Sequence, residues 1–343
     1  MAIQAHTPIF LKEWISKEGI SAQAELDLLL GDGSTRRFYR LLDLAAKKSY
    51  ILLSDPEWRQ SQDYAPHQLA LSKAQIPVPQ FWRVDPSSGI ILMEDLGDEL
   101  LQNRMASNPQ EKEAWLKQAV ELLAHLHGRL FPVSQELPVS KRSFDEAKYF
   151  EEFSFTLEHL RRGYLGLAAL NSEQLEPLKV FCAELGSFGP QVFCHRDYHC
   201  RNLLVHQNRL FMIDFQDARL GSPAYDLASL LFDAYTPISE SKREELFTCY
   251  QKAVAPFPLA QLIHFKELKE DLWKVAYQRT LKAAGSFASF WTQLKKESHL
   301  VYIEPALKLS LLIENTVSIP ENVRSALEVD KMLKALYAKK SNP

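Results

Sequence analysis

The sequence predicts an α+β fold, with a small antiparallel-sheet lobe in residues 1–96 and a large, mainly helical lobe in residues 97–343. Three observations carry this. Short runs rich in Leu, Ile, Tyr and Phe, broken by Gly, Asp, Pro and Ser, crowd the first part of the chain. Beyond Gly97 the texture changes to long segments with apolar residues at i, i+3, i+4 and i+7. Composition fits a well-cored protein, with 46% apolar and 24% charged residues in 343.

The elements follow in order. The opening MAIQAHTPIFLKEWISKEGI reads as an amphipathic helix carrying Lys and Glu, without the uninterrupted apolar run of a secretion signal. ELDLLL, RRFYRLLDL and SYILLSD read as strands, the first two joined through GDGS and the next through AAKK. DYAPHQLALSKAQ has helical spacing, and IPVPQFWRVD and GIILMEDLG are two further strands split by the turn PSS. NPQEKEAWLKQAVELLAHLHGRL, FDEAKYFEEFSFTLEHLRR, NSEQLEPLKVFCAELG and ELKEDLWKVAYQRTLKAAGSFASFW are helices.

Some classes are disfavoured early. A net charge of −3 gives no reason to expect a nucleic-acid or anionic-membrane partner. No stretch approaches the roughly 18 apolar residues of a membrane span. Four scattered cysteines are too few for a disulfide framework, so a reduced, cytoplasmic protein is expected. Oligomeric state is not legible.

The chemistry concentrates in HRDYHCRN, residues 195–202. One reading is a zinc site at Cys194, His195, His199 and Cys200. Neighbours on an extended strand point to opposite faces, and no second ligand pair occurs elsewhere, which disfavours it. The other reading is H-R-D-x₄-N, the catalytic-loop pattern of phosphoryl transfer. Its setting is strand (QVFC), loop, strand (LLV), turn (HQNR), strand (LFMI) and then Asp214. Asp197 would accept the proton of an attacking hydroxyl, while Asn202 and Asp214 supply the oxygen ligands that Mg²⁺ prefers. Asp226, near the start of the helix in SPAYDLASLL, is either a cap or a structural pin for the loop. Only residues 215–225 separate Asp214 from Asp226, and no A-P-E is present, so there is no room for a segment that docks a protein substrate.

HRDYHCRN, MIDFQDARLGSPAYDLASLL, LLAHLHG and ILMEDLG together resemble the aminoglycoside phosphotransferase and choline kinase superfamily, small-molecule kinases with a protein-kinase-like two-lobed fold. Within it, GSTRRFYR, DFQDARLGSPAYD and QRTLKAAGSFA resemble the anomeric kinases of N-acetylmuramate and N-acetylglucosamine in cell-wall recycling. The resemblance implies ATP and Mg²⁺ as cofactors, a sugar acceptor, Asp197 as base, and Asn202 and Asp214 on the metal. His195 and Arg196 would shape the loop. Gly33, Ser34, Thr35 and Arg37 would cover the nucleotide phosphates, and the hinge from Glu94 to Leu96 would read adenine. One departure stands out: the third strand carries no Lys, and no Glu follows on the next helix, where Asp63 or Tyr64 falls instead. Arg36, Arg37 or Arg40 could supply the missing charge. That departure also leaves a nucleotide-binding pseudokinase as a rival, alongside kinases of aminoglycosides, choline, homoserine or a thiosugar. For the acceptor, His199, Asp233, Gln278, Arg279 and Lys282 are candidates. Arg279 and Lys282 lie three apart and either meet an acidic sugar's carboxylate or form a solvated basic face. Glu152 and Glu158 are further candidates for sugar hydroxyls, with plain surface positions as the alternative.

Overall fold

A computed structural model describes residues 9–20, 24–29, 36–55, 57–58 and 61–341. The chain begins with α1 (Ile9–Lys17), β1 (Glu25–Leu29), β2 (Arg37–Asp43), β3 (Lys48–Ser54), α2 (Tyr64–Lys73), β4 (Phe81–Asp85) and β5 (Ile90–Glu94). It continues through α3 (Leu101–Ser107), α4 (Lys112–Arg129), α5 (Glu146–Thr156), α6 (Ser172–Gly186), β6 (Val192–Cys194), β7 (Leu203–His206), β8 (Arg209–Met212) and β9 (Arg219–Gly221). The remainder is helical: α7 (Pro223–Leu231), α8 (Glu240–Val254), α9 (Phe265–Leu294), α10 (Ile303–Thr316), α11 (Glu321–Leu327) and α12 (Val329–Ser341).

These elements form two units. The first takes the chain through Glu99 together with Leu204–Asp217, and the second takes Leu100–Leu203 and everything from Ala218 onward. The first differs from the predicted lobe at residues 1–96 by three residues at its edge and by this added hairpin. The hairpin joins it for a visible reason. Val205 N donates to the Glu99 carbonyl at 2.7 Å, Met212 N to the Pro77 carbonyl at 2.9 Å, and His206 Nδ1 lies 3.0 Å from the Leu96 carbonyl. Gln207 and Asn208 both adopt positive φ (49° and 57°), which a two-residue hairpin turn requires and Asn tolerates well.

In the first unit a five-stranded sheet runs β1-β2-β3-β5-β4, every neighbour antiparallel. Period-two alternation turns Tyr39 and Leu41, Leu52, and Ile90 and Leu92 to one face, where Leu11, Trp14 and Ile15 of α1 cover them. Trp14 Nε1 donates to Asp85 Oδ2 at 2.8 Å, and the other oxygen of Asp85 receives Ser87 and Ser88 in the turn between β4 and β5.

In the second unit α9 is the spine, packed against α5, α7 and α10. α5 approaches it closely: a Cβ on Gly285 would lie 2.5 Å from Thr156 Oγ1 and 2.6 Å from Thr156 Cα. Thr156 Oγ1 also donates to the Leu281 carbonyl at 3.2 Å, so the two helices are joined as well as packed. After Thr156 the predicted single helix changes to π-helical winding over Leu157–Tyr164. β6 pairs antiparallel with β9 in the register Val192↔Gly221 and Cys194↔Arg219, which brings the loop after Cys194 beside the start of α7. No helix among the described residues is long and apolar enough to cross a membrane.

Candidate active site

In the second unit, the loop from His195 to Asn202 is held by a single buried carboxylate. Asp226 Oδ2 accepts His195 N at 2.7 Å and Oδ1 accepts Arg196 N at 3.0 Å. Arg196 sits at φ +82°, a conformation that costs energy outside glycine, and this two-pronged grip lies on it directly. The cap of α7 is Ser222, whose Oγ accepts Ala224 N, so the capping role falls to Ser222 and Asp226 is turned to the loop. His127 Nε2 lies 3.4 Å from Asp226 Oδ2, and its Nδ1 lies 2.8 Å from the Tyr250 hydroxyl. Tyr198 donates to the Ala119 carbonyl on α4 at 2.8 Å. Inside the loop His195 Nδ1 receives Asp197 N at 3.3 Å, and Asn202 Nδ2 donates to the Asp197 carbonyl at 2.9 Å.

The zinc quartet does not converge. Cys194 Sγ turns to the Ser222 carbonyl and Cys200 Sγ to Thr236 Oγ1. Cys194 lies instead with His127 and Asp226, and that carboxylate already serves two backbone amides.

Asp197 faces a cluster of charges. Lys282 Nζ lies 2.6 Å and Arg279 NH1 3.4 Å from its Oδ1, and Arg196 Nε lies 3.9 Å from its Oδ2. Burial opposes charge on Asp197, but Lys282, Arg196 and Arg279 outweigh it and hold the carboxyl well below the usual carboxylate range. Glu152 of α5 lies behind, buried, with Oε2 receiving the Tyr225 hydroxyl and Gln278 Nε2, each at 3.0 Å. Burial likewise works against its charge, and Lys282, Arg196 and Arg279 again prevail to lower it. Lys282 itself is pushed down to about 8, by burial first and then by Arg279.

A cavity of about 80 Å³ opens beside Asp197. Phe232, Tyr235 and Phe287 give it aromatic walls, Ala228, Ser229, Ala283 and Ser286 leave the space between them, and His199, Asp233, Arg279 and Lys282 are its polar groups. Burial pushes His199 down to about 3, which keeps the imidazole neutral near pH 7. Asp233 is raised by burial and accepts Cys200 N at 3.2 Å and Tyr235 N at 2.8 Å.

Of the predicted acceptor residues, four line this cavity with Asp197. Gln278 does not: it is fully buried against Glu152. Arg279 and Lys282 are not a solvated face, since Arg279 is buried and Lys282 mostly so, both on Asp197. Glu158 is an exposed surface residue paired with Arg162, whereas Glu152 is not surface at all. The signal for Glu152 was its spacing: Tyr149, Glu152, Phe153 and Thr156 form one buried stripe at i, i+3, i+4 and i+7.

In the first unit, Asp214 follows β8 at φ +64°. Its Oδ1 receives Arg36 NH2 at 3.2 Å and Gln216 Nε2 at 3.0 Å. Arg40 is engaged with Asp95 and Asp98, both at 2.7 Å, and Arg37 is exposed on β2. Arg36 is therefore the arginine that meets Asp214. Tyr64, at the expected acid position of α2, packs its ring on Phe215 with centroids 4.6 Å apart. At the predicted hinge, Glu94 N donates to the Gln80 carbonyl and the Leu96 carbonyl faces His206. Gly33, Ser34 and Thr35 lie outside the described residues.

The sequence model of the phosphotransferase enzyme family matches residues 29–262, a span that contains both the Asp197 loop and Asp214. The chain belongs to that family. Like other members it is a phosphotransferase. It is 29% identical over 304 residues to a protein of Neisseria meningitidis serogroup B named N-acetylmuramate/N-acetylglucosamine kinase, covering 85% of this chain and 86% of the relative. A protein of the same name from Pseudomonas aeruginosa is 27% identical over 319 residues, covering 88% and 90%. Among solved structures it is similar in fold to a Plasmodium vivax ethanolamine kinase, with a TM-score of 0.59 at 15% identity and 90% of both chains covered. An ADP-bound aminoglycoside phosphotransferase gives a TM-score of 0.57 at 17% identity, covering 88% of this chain and 96% of that one. The family's protein-kinase-like fold is the one built here from a five-stranded antiparallel sheet and a mainly helical remainder.

Proposed function

We propose that this phosphotransferase is an ATP- and Mg²⁺-dependent kinase of the anomeric C1 hydroxyl of N-acetylmuramate and N-acetylglucosamine, acting in the cytoplasm in peptidoglycan recycling. The observation that carries the reading is an ionised Asp197 at the edge of a small, part-aromatic cavity rich in hydrogen-bonding groups. Such a cavity suits a sugar, which offers an apolar ring face and a rim of hydroxyls. The names of the relatives from N. meningitidis and P. aeruginosa point to the same acceptors.

Asp197 orients the acceptor hydroxyl and takes its proton as the oxygen attacks the γ-phosphate. Asp226 acts through the backbone of His195 and Arg196 to keep that carboxylate in place. Asn202 and Asp214 are the residues that would hold Mg²⁺. They fit a hard cation, since both offer oxygen; the Asn202 amide nitrogen is committed to the Asp197 carbonyl, and Asp214 already accepts the cationic Arg36. When bound, the ion neutralises charge on the transferring phosphate. Gly33, Ser34, Thr35 and Arg37 are assigned to the nucleotide phosphates and Glu94 to Leu96 to the base, with Arg36 in place of the strand Lys.

A polycationic acceptor such as an aminoglycoside would bring its amines against Arg279 and Lys282, which disfavours that alternative. Asp197, Asn202 and Asp214 are all present, which disfavours a pseudokinase. Phosphorus NMR of the product tests the reading: a C1 phosphate on either amino sugar is expected, and a C6 phosphate or no transfer would sink it.

A further inference from the structure

Lys282 and Arg279 bring more N–H groups to the cavity wall than the protein there accepts. Both converge on one oxygen, Asp197 Oδ1. An ammonium has three donors, and this one makes a single hydrogen bond, to Asp197. Arg279 is 5% exposed, and its Nε is buried with no hydrogen-bond partner. The remaining charged or titratable groups around Lys282 leave this surplus in place. Glu152 gives Oε2 to Tyr225 and Gln278 and turns Oε1 toward Arg196 at 3.9 Å, Asp233 faces the amides of Cys200 and Tyr235, Arg196 is a further cation, and His199 is a neutral ring. A buried donor without an acceptor is costly, so the wall is suited to a group bringing acceptor oxygens and negative charge.

We propose that Lys282 and Arg279 form an anion subsite that takes the carboxylate of an acidic acceptor and, by drawing both cations toward it, frees Asp197 Oδ1 for the hydroxyl to be phosphorylated. The inference rests on the amino-sugar reading and sharpens it: of the two sugars, the one bearing a lactyl carboxylate is the fitted substrate. Lys282 is thus a specificity residue as well as a clamp on the base. In the substrate-free protein it holds Asp197 ionised, and with an acidic acceptor bound it divides its donors between the two carboxylates.

The test compares kcat/KM of the wild-type protein for N-acetylmuramate, its methyl ester and N-acetylglucosamine, at saturating ATP and Mg²⁺. The acid is expected to be preferred to its ester by tenfold or more, with the ester close to the neutral sugar. Lys282→Met is expected to lower kcat/KM for both sugars, with the acid falling at least tenfold further, and Lys282→Arg to restore most of the difference. An ester used as well as the acid, or equal losses on both sugars in Lys282→Met, overturns the subsite and leaves the amino-sugar kinase standing. If Lys282→Met does not fold, the ester comparison decides alone. No transfer to either sugar by the wild-type protein overturns the amino-sugar reading and the subsite with it.

Discussion

At the scale of single residues, Asp197 is defined by what surrounds it. Two cations on one oxygen keep it ionised against the cost of burial. Asp197→Asn keeps the shape and removes the proposed base, so turnover should fall by about 10²–10⁴-fold, while thermal unfolding shows a folded protein. Retention of near wild-type turnover would contradict its role as base. Lys282 sets a pH dependence. Its folded value is about 8 against an ordinary 10.5, so between those values the folded state binds fewer protons, and this group's contribution to stability rises with pH. Asp197 acts in the same direction at lower pH: its contribution is present above the ordinary carboxylate range and is lost as pH falls through its depressed folded value. In assays, loss of the Lys282 proton above about pH 8 should erode preference for the acidic sugar, read as the ratio of kcat/KM for the two sugars from pH 6.5 to 9.5. The loop and hairpin that carry Asp197, Asn202 and Asp214 could be read from spacing alone because both are local. The Lys282–Asp197 contact could not, because it joins positions 85 apart and depends on where α9 lies.

At the scale of elements, the site depends on how closely α5 and α9 approach. Glu152 and Thr156 lie on one face of α5, while Gln278 and Arg279 lie one turn before Lys282 on α9. Gly285 permits the contact, and a methyl there would strike backbone as well as side chain of Thr156. Gly285→Ala should therefore cost about 1–3 kcal/mol of stability in urea unfolding, and it should lower turnover by more than that loss of folded protein explains. Unchanged stability would mean that α5 yields at no cost. Periodicity found α4, α5, α6 and α9 because their apolar stripes are regular. It did not find the π-helical winding after Thr156, which depends on how the backbone hydrogen bonds shift rather than on a change in the apolar pattern. Spacing placed Glu152 on the apolar stripe of α5, but not the three cations from other elements that face it there.

At the scale of the whole molecule, the order of strands and helices was readable and the allocation of chain between the units was not. Residues 1–96 and 97–343 divide the sequence once, whereas packing divides it three times, after Glu99, Leu203 and Asp217. The proposed catalytic roles are divided in the same way, with Asp197 and Asn202 on one unit and Asp214 on the other. The proposed metal requirement belongs at this scale. Chelation with EDTA should abolish phosphate transfer and added Mg²⁺ restore it, with far-UV circular dichroism unchanged; full activity after exhaustive chelation would remove the ion from the reaction. The hairpin of β7 and β8 has a practical consequence for anyone dissecting the gene. A fragment ending at Glu99 would carry every strand of the main sheet, yet it would strand the carbonyls of Pro77, Leu96 and Glu99 and expose the ring of Tyr64 that Phe215 covers. To be expressed alone, the amino-terminal unit needs residues 204–217 spliced back onto it as a cassette, because its linear boundary and its physical boundary are different objects.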